Sequence, residues 1–211
     1  VVKNTEESKP LCIGVLALQG DFQAHIDAME RAGATVAPVR TAEAVAACDG
    51  LILPGGESTA IGKLMARYEI DTAIREAAGR GIPVYGTCAG MILLAKDIVS
   101  GAERGGQPTL GLMDIAVARN AFGRQVDSFE ADIEAPAVSP DGPLRGVFIR
   151  APYVVEAGPG VEVLARYQDR IVLARQGSLL AAAFHPELTD DLRVHQYFLD
   201  MVTAGRNGAD N

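Results

Sequence analysis

Val84-Tyr85-Gly86-Thr87-Cys88-Ala89-Gly90-Met91 is the stretch on which the fold and the chemistry turn. It reads as a short buried strand, a G-x-C-x-G turn and the start of a helix. The physics is that of the G-x-S-x-G turn of hydrolases, with sulfur in place of oxygen. A tight turn forces the central residue into a strained backbone position. Gly86 and Gly90 carry no side chains, so chain can pack closely on both sides of it. Cys88 then stands at the N-terminal end of the next helix, where unpaired N–H groups and the helix dipole favour a thiolate. The Ala89 N–H points where a tetrahedral oxyanion would form.

Working outward, strand and helix signals alternate through the first half. Leu11–Leu18 is a nearly continuous apolar run, as expected for a strand covered on both faces. Phe22–Ala32 has helical spacing and stops at Gly33. Thr35–Arg40 and Gly50–Leu53 are strands, with a short helix over Thr41–Ala47 between them. Thr59–Arg67, Asp71–Arg80 and Ala89–Lys96 read as helices. This alternation implies an α/β fold with a parallel sheet and right-handed crossovers. The second half changes character. Met113–Arg119, Ser128–Ile133, Gly146–Ile149, Val161–Tyr167, Ile171–Arg175 and Leu179–Phe184 are strand candidates. Gln168-Asp169 and Gln176-Gly177 are hairpin turns. Asp190–Thr203 closes the chain as a helix. Gly101–Gly111 is a surface loop. The expected organisation is a tail over residues 1–10, one domain over 11–204, and a flexible C-terminal tail over 205–211.

Bulk properties bound the function. The chain has 211 residues, 48 % apolar and 22 % charged, with a formal net charge of -8. That acidity argues against a binder of nucleic-acid phosphates. No apolar run approaches the roughly 20 residues of a membrane span, and the polar start does not read as a secretory signal. The three cysteines, Cys12, Cys48 and Cys88, are widely and irregularly spaced. They form neither a disulfide framework nor a zinc-ligand pattern, so free thiols in a reducing cytoplasm, and no metal, are expected. Cys12 and Cys48 read as small buried hydrophobes.

A cysteine nucleophile needs a base. His185 lies in Ala183-Phe184-His185-Pro186-Glu187 at the end of a strand candidate. If the backbone there is extended, with Pro186 holding it so, His185 and Glu187 face the same side. The imidazole would accept the thiol proton and the carboxylate would orient the imidazole. His195 reads as surface or packing. His25 reads as structural, with a smaller chance that it lines a site. Leu53-Pro54-Gly55-Gly56-Glu57-Ser58-Thr59 ends a strand and opens a helix. Ligands in such sheets bind outside the strand carboxyl ends. Gly55 and Gly56 let backbone N–H groups approach a ligand closely, which suggests a second oxyanion donor in this turn, while Ser58 could cap the helix. A phosphate loop is excluded, because the Lys-Ser/Thr ending is missing.

Together these pieces resemble the class I (triad) glutamine amidotransferases. Further stretches narrow the resemblance: IGVLALQGD at Ile13–Asp21, LPGGEST at Leu53–Thr59, GTCAG at Gly86–Gly90, RNAFGRQVDSFEAD at Arg119–Asp132, VFIRAP at Val147–Pro152 and FHPELT at Phe184–Thr189. These look like the glutaminase subunit of pyridoxal 5′-phosphate synthase, the PdxT/SNO family. The resemblance implies a three-layer, flavodoxin-like fold with a mostly parallel central sheet and antiparallel strands added in the C-terminal half. It implies Cys88, His185 and Glu187 as catalytic triad. Gly56, Glu57, Ser58, Arg119, Ile149 and Arg150 would contact L-glutamine, and Gly55 with Ala89 would form the oxyanion site. No cofactor is implied. Ammonia would pass to a separate synthase subunit (PdxS/SNZ family) in a complex of twelve plus twelve subunits, for vitamin B6 synthesis. Three features depart from the pattern: the tail before Leu11, a longer Gly101–Gln107 loop, and Tyr153 where His is common. The competing readings are a glutaminase serving another pathway, a non-hydrolytic regulatory protein on the same fold, and a cysteine peptidase.

Overall fold

The computed structural model describes residues 10–100, 106–119 and 128–209. Strand β1 (Cys12–Leu16) is buried along almost its whole length. It pairs in parallel with β2 (Thr35–Val39) on one side and β3 (Gly50–Leu53) on the other. β3 pairs in parallel with β4 (Val84–Thr87), and β4 in parallel with β12 (Leu179–Ala182). The apolar runs of these strands follow from coverage on both faces. At Gly14 a Cβ would lie 2.5 Å from Cys48 Sγ, and at Gly50 one would lie 2.6 Å from Val202.

The helices form two groups. α1 (Phe22–Arg31) packs with α6 (Arg193–Ala209), while α3 (Ser58–Arg67) packs on α4 (Ile70–Gly79) and α5 (Ala89–Leu94). α2 (Ala42–Ala46) packs on α4. The connection from β1 runs to one side and the chain returns on the other at β3, so the strand order reverses there. Such a switch point leaves a crevice outside the carboxyl ends of the strands. The segments that leave those ends are Gln19–Asp21, Pro54–Ser58, Cys88 and His185.

Beyond β12 the sheet turns antiparallel, as expected. β12 pairs with β11 (Arg170–Gln176), which pairs with both β10 (Glu162–Tyr167) and β9 (Tyr153–Ala157). β9 pairs with β6 (Met113–Ala118), and β6 runs parallel to the edge strand β5 (Ala95–Ser100). β7 (Ser128–Ile133) and β8 (Leu144–Ile149) form a separate antiparallel pair. Phe129 and Phe148 stack across this pair at 4.6 Å, and Phe148 meets Phe184 at 5.7 Å, which ties it to the main core. The turn at Gln168-Asp169 has φ of 48° and 63°, the signature of a type I′ hairpin.

Three boundaries differ from the sequence reading. The helix expected over Ala89–Lys96 ends at Leu94, and Ala95 turns extended to begin β5. Ile98 and Val99, both β-branched, fit that strand. β9 was not anticipated, because Pro152 precedes it and its burial pattern does not alternate cleanly. The last helix starts at Arg193 and runs to Ala209, so residues 205–209, expected in the tail, continue it. Gly205 and Gly208 weaken a helix by about 1 kcal/mol each without ending it. The expected N-terminal tail and most of the Gly101–Gln107 loop lie outside the described residues, as do residues 120–127 of the Arg119–Asp132 motif.

Candidate active site

Cys88 joins β4 to α5 with φ 48° and ψ -102°. A non-glycine residue rarely adopts such a conformation, and the strain amounts to about 1–3 kcal/mol. The flanking glycines explain why it persists. A Cβ at Gly86 would lie 2.5 Å from the Gly90 carbonyl carbon, and one at Gly90 would collide with the Leu53 carbonyl oxygen. The turn is thus wedged between β3 and its own helix. The thiol is 8 % exposed, and Sγ donates to the Ile149 carbonyl at 3.8 Å.

His185 follows β12 and is held by its own N–H, which donates to the Val147 carbonyl at 2.8 Å. Its Nδ1 lies 2.7 Å from Glu187 Oε1. The pairing expected from sequence is therefore present, but the reason given for it is corrected. Pro186–Leu188 is a single 3₁₀ turn, not extended chain. Proline suits the first position of a helical turn, where no N–H is needed. That turn swings the Glu187 carboxylate under the imidazole.

Glu187 has no exposed side-chain surface, and its Oε2 has no hydrogen-bond partner among the described residues. Burial favours the neutral acid, but His25 and His185 outweigh it and hold the carboxyl well below the usual carboxylate range. Burial likewise opposes charge on His185. Hydrogen bonding and charge from Cys88 and Glu187 override it and push the imidazole up to about 10. The electrostatics thus favour an imidazolium between a sulfur and a carboxylate, the arrangement that activates a thiol nucleophile.

In front of Cys88 is a cavity of about 360 Å³. It is lined by Gly55, Gly56, Glu57, Ser58, Cys88, Ala89, Arg119, Ile149, Arg150 and His185. Every contact residue expected from sequence therefore borders one space, with Glu187 behind it. Gly55 packs against the His185 ring, and a Cβ there would stand 3.5 Å from Cys88 Cβ. Ala89 is the first residue of α5, so its N–H has no acceptor within the helix. Gly56 sits at φ 153° and Arg150 at φ 44°.

The helix cap is not Ser58. Glu57 caps α3, its carboxylate accepting from Thr59 N–H at 3.0 Å and Ala60 N–H at 2.6 Å. Burial raises its pKa, yet these N–H groups and the Arg119 guanidinium bring it below the ordinary value. Arg119 donates to Gln107 Oε1 at 2.7 Å and lies 3.4 Å from Glu57 Oε1. Ser58 lines the cavity, and its Oγ, freed from capping, is buried with no hydrogen-bond partner among the described residues.

Four lining residues were not singled out from sequence: Gln19, Asp21, Ile92 and Leu188. The Gln19-Gly20-Asp21 turn carried the available signal, since it ends a parallel strand next to the switch point. Gln19 Oε1 accepts the Glu57 N–H at 2.8 Å, and a Cβ at Gly20 would strike the Gly55 carbonyl oxygen. Two histidines also stand behind the site. His25 Nε2 lies 3.4 Å from Glu187 Oε1, and His195 is fully buried against His25, so of the surface and packing alternatives it is packing. Cys48 is buried and Cys12 half-buried, and all three cysteines are free.

Comparison with known proteins follows the same lines. The model of the SNO glutamine amidotransferase family matches residues 15–204. Pyridoxal 5′-phosphate synthase subunit PdxT of Carboxydothermus hydrogenoformans is 54 % identical over 193 residues, covering 92 % of this chain and 98 % of the relative. The subunit of the same name from Desulforudis audaxviator is 57 % identical, covering 91 % of this chain and 99 % of its own. A crystal structure of a glutamine amidotransferase superposes with a TM-score of 0.84 at 51 % identity, covering 90 % of this chain and 98 % of that one. PurLQS of Thermotoga maritima, at 19 % identity and a TM-score of 0.70, shares the fold over 91 % of this chain and 99 % of its own.

Proposed function

Because the chain belongs to the SNO glutamine amidotransferase family, we propose that Cys88, His185 and Glu187 are its catalytic triad and that the cavity before them takes L-glutamine. The chain is a glutaminase component of pyridoxal 5′-phosphate synthase. The observation that carries the site is the strained Cys88 at the mouth of a cavity that also bears His185, itself bonded to Glu187 at 2.7 Å.

The steps follow from the geometry. Glu187 occupies Nδ1 of His185, which leaves Nε2 for the thiol. The Cys88 thiolate attacks the carboxamide carbon, and the carbonyl oxygen becomes an oxyanion facing the Gly55 and Ala89 N–H groups. The C–N bond breaks as His185 Nε2 gives its proton to the nitrogen, which leaves as ammonia. The product is a glutamyl thioester on Cys88. Water, deprotonated by His185, adds to the thioester; the C–S bond breaks, and glutamate and the thiolate are released.

Gly56, Glu57, Ser58, Arg119, Ile149 and Arg150 hold the rest of the substrate. A guanidinium, that of Arg119 or Arg150, would hold the substrate α-carboxylate in two-pronged fashion. The ammonia goes to a synthase subunit, in an assembly of twelve plus twelve subunits working in the cytoplasm. Residues 11–204 serve as one glutaminase domain. The three free thiols suit a reducing compartment.

The test is glutamate release by wild type and Cys88→Ala, with and without the synthase subunit. The wild type is expected to turn over glutamine and to be stimulated by the synthase. The variant should fold, bind the synthase and release no glutamate. Turnover retained in Cys88→Ala would sink the assignment.

A further inference from the structure

Behind Glu187, on the side away from the cavity, lies a set of buried polar groups that the chemistry above does not use. His25 of α1 and His195 of α6 are both fully buried. His25 Nε2 is 2.9 Å from Thr87 Oγ1 and 3.4 Å from Glu187 Oε1, the same oxygen that meets His185 Nδ1. On its other edge, His25 Nδ1 is 3.2 Å from His195 Nε2. The Tyr85 ring packs edge-on against both imidazoles at 6.2 Å.

Burial above all pushes His195 down to about 3, so it is neutral and carries one proton. Its Nδ1 is buried with no hydrogen-bond partner among the described residues. A proton there would be an N–H without an acceptor, which is costly, whereas a bare lone pair is tolerated better. The proton therefore sits on Nε2 and is donated to His25 Nδ1. With Nδ1 accepting, His25 carries its proton on Nε2, facing Thr87 and Glu187. The N–H groups then run from His195 through His25 to Thr87 Oγ1, with Glu187 Oε1 3.4 Å from the same His25 nitrogen.

We propose that His25, oriented by His195 and anchored on Thr87, is a positioning residue that fixes the Glu187 carboxylate beneath His185. The inference rests on the triad reading above. Its physical basis is the one-sided bonding of Glu187: Oε1 meets both His185 and the His25 edge, while Oε2 has no hydrogen-bond partner among the described residues. Without His25 the carboxylate can rotate about its side-chain torsions, and His185 loses a fixed acceptor. His25 does not line the cavity, so glutamine binding should be indifferent to it.

The experiment compares wild type, His25→Leu and His25→Gln, each assayed with the synthase subunit and each examined alone by proton NMR. A short imidazole N–H bond to a carboxylate gives a resonance far downfield, and the His185 Nδ1–H is the expected source. His25→Leu should lower kcat by tenfold or more, leave the KM for glutamine within twofold, and shift or broaden that resonance. His25→Gln, which keeps an N–H donor near the Nε2 position, should recover most of both. A folded His25→Leu with unchanged kcat and resonance overturns the proposal, and so does equal impairment of the two variants, which would indicate packing alone. Where His25→Leu does not fold, His195→Leu probes the chain one bond further out. It should weaken the same resonance, and an unaltered one overturns the proposal. The NMR readout needs no substrate. A wild type that shows the resonance but releases no glutamate would therefore overturn the glutaminase reading and leave the brace standing.

Discussion

Gly55 lies so close to His185 that a Cβ at position 55 would occupy the space of the ring's Cε1. The loop after β3 forms a wall against which the imidazole rests, at its Cε1 and Nδ1 edge.

Gly55→Ala should accordingly displace His185 and leave the strands untouched. A shift of the base by about 1 Å costs on the order of 100-fold in turnover. The expected outcome is a folded protein with Tm within a few degrees of wild type and glutaminase kcat down by at least that factor. Normal turnover would mean that the His185 ring occupies another position during catalysis. The contact also gives a reason for glycine here that is independent of backbone torsion.

This relationship marks where sequence reading succeeds and where it stops. The nucleophile turn is legible because Gly86 and Gly90 flank Cys88, and a glycine is the only residue that admits the Leu53 carbonyl and the helix so closely. The Gly55-Gly56 turn is legible for the same reason. His185 and Glu187 are legible as a pair but not in their geometry, since spacing of two residues can be met by a strand or by a 3₁₀ turn. His25 is not legible as part of the site. It is one polar residue on the buried face of an amphipathic helix, and its partners are 62 and 170 residues away in sequence. β5 and β9 escape because edge and half-covered strands lack the uninterrupted apolar runs that reveal β1, β3 and β4.

The charges on His185 and Glu187 predict a pH dependence. His185 titrates near 10 in the folded chain against an ordinary 6.5, so its contribution to stability is full below pH 6.5 and is lost as pH rises through about 10. Glu187 is shifted downward from an ordinary 4.5, so its contribution is present above pH 4.5 and is lost as pH falls through the folded value. Glu187→Gln removes the second contribution and the part of the first that Glu187 supplies, leaving that of Cys88. The stability gap between wild type and variant should be widest between pH 4.5 and 6.5 and should narrow on both sides. Urea midpoints across pH would measure it, and parallel curves would refute it. The alkaline limb of kcat/KM should fall below about 10 in the variant, because the imidazolium keeps Cys88 but loses the carboxylate.

Ser58 separates binding from stability. Ser58 lines the cavity, but its Oγ is buried with no hydrogen-bond partner among the described residues, while the neighbouring Glu57 does the capping that a serine at such a position often does. A hydroxyl that bonds nothing in the free protein contributes nothing to folding, and burying it costs about 1–3 kcal/mol. Ser58→Ala should therefore leave stability unchanged or raise it slightly. If the hydroxyl meets glutamine, its loss removes one hydrogen bond from the complex, worth about 1 kcal/mol. KM should rise roughly five- to tenfold on that basis, with kcat within about twofold. Isothermal titration of glutamine into Ser58→Ala on a Cys88→Ala background gives the affinity without turnover. An unaltered affinity would remove Ser58 from the glutamine contacts. A lowered Tm would mean that its hydroxyl is bonded in the free protein after all.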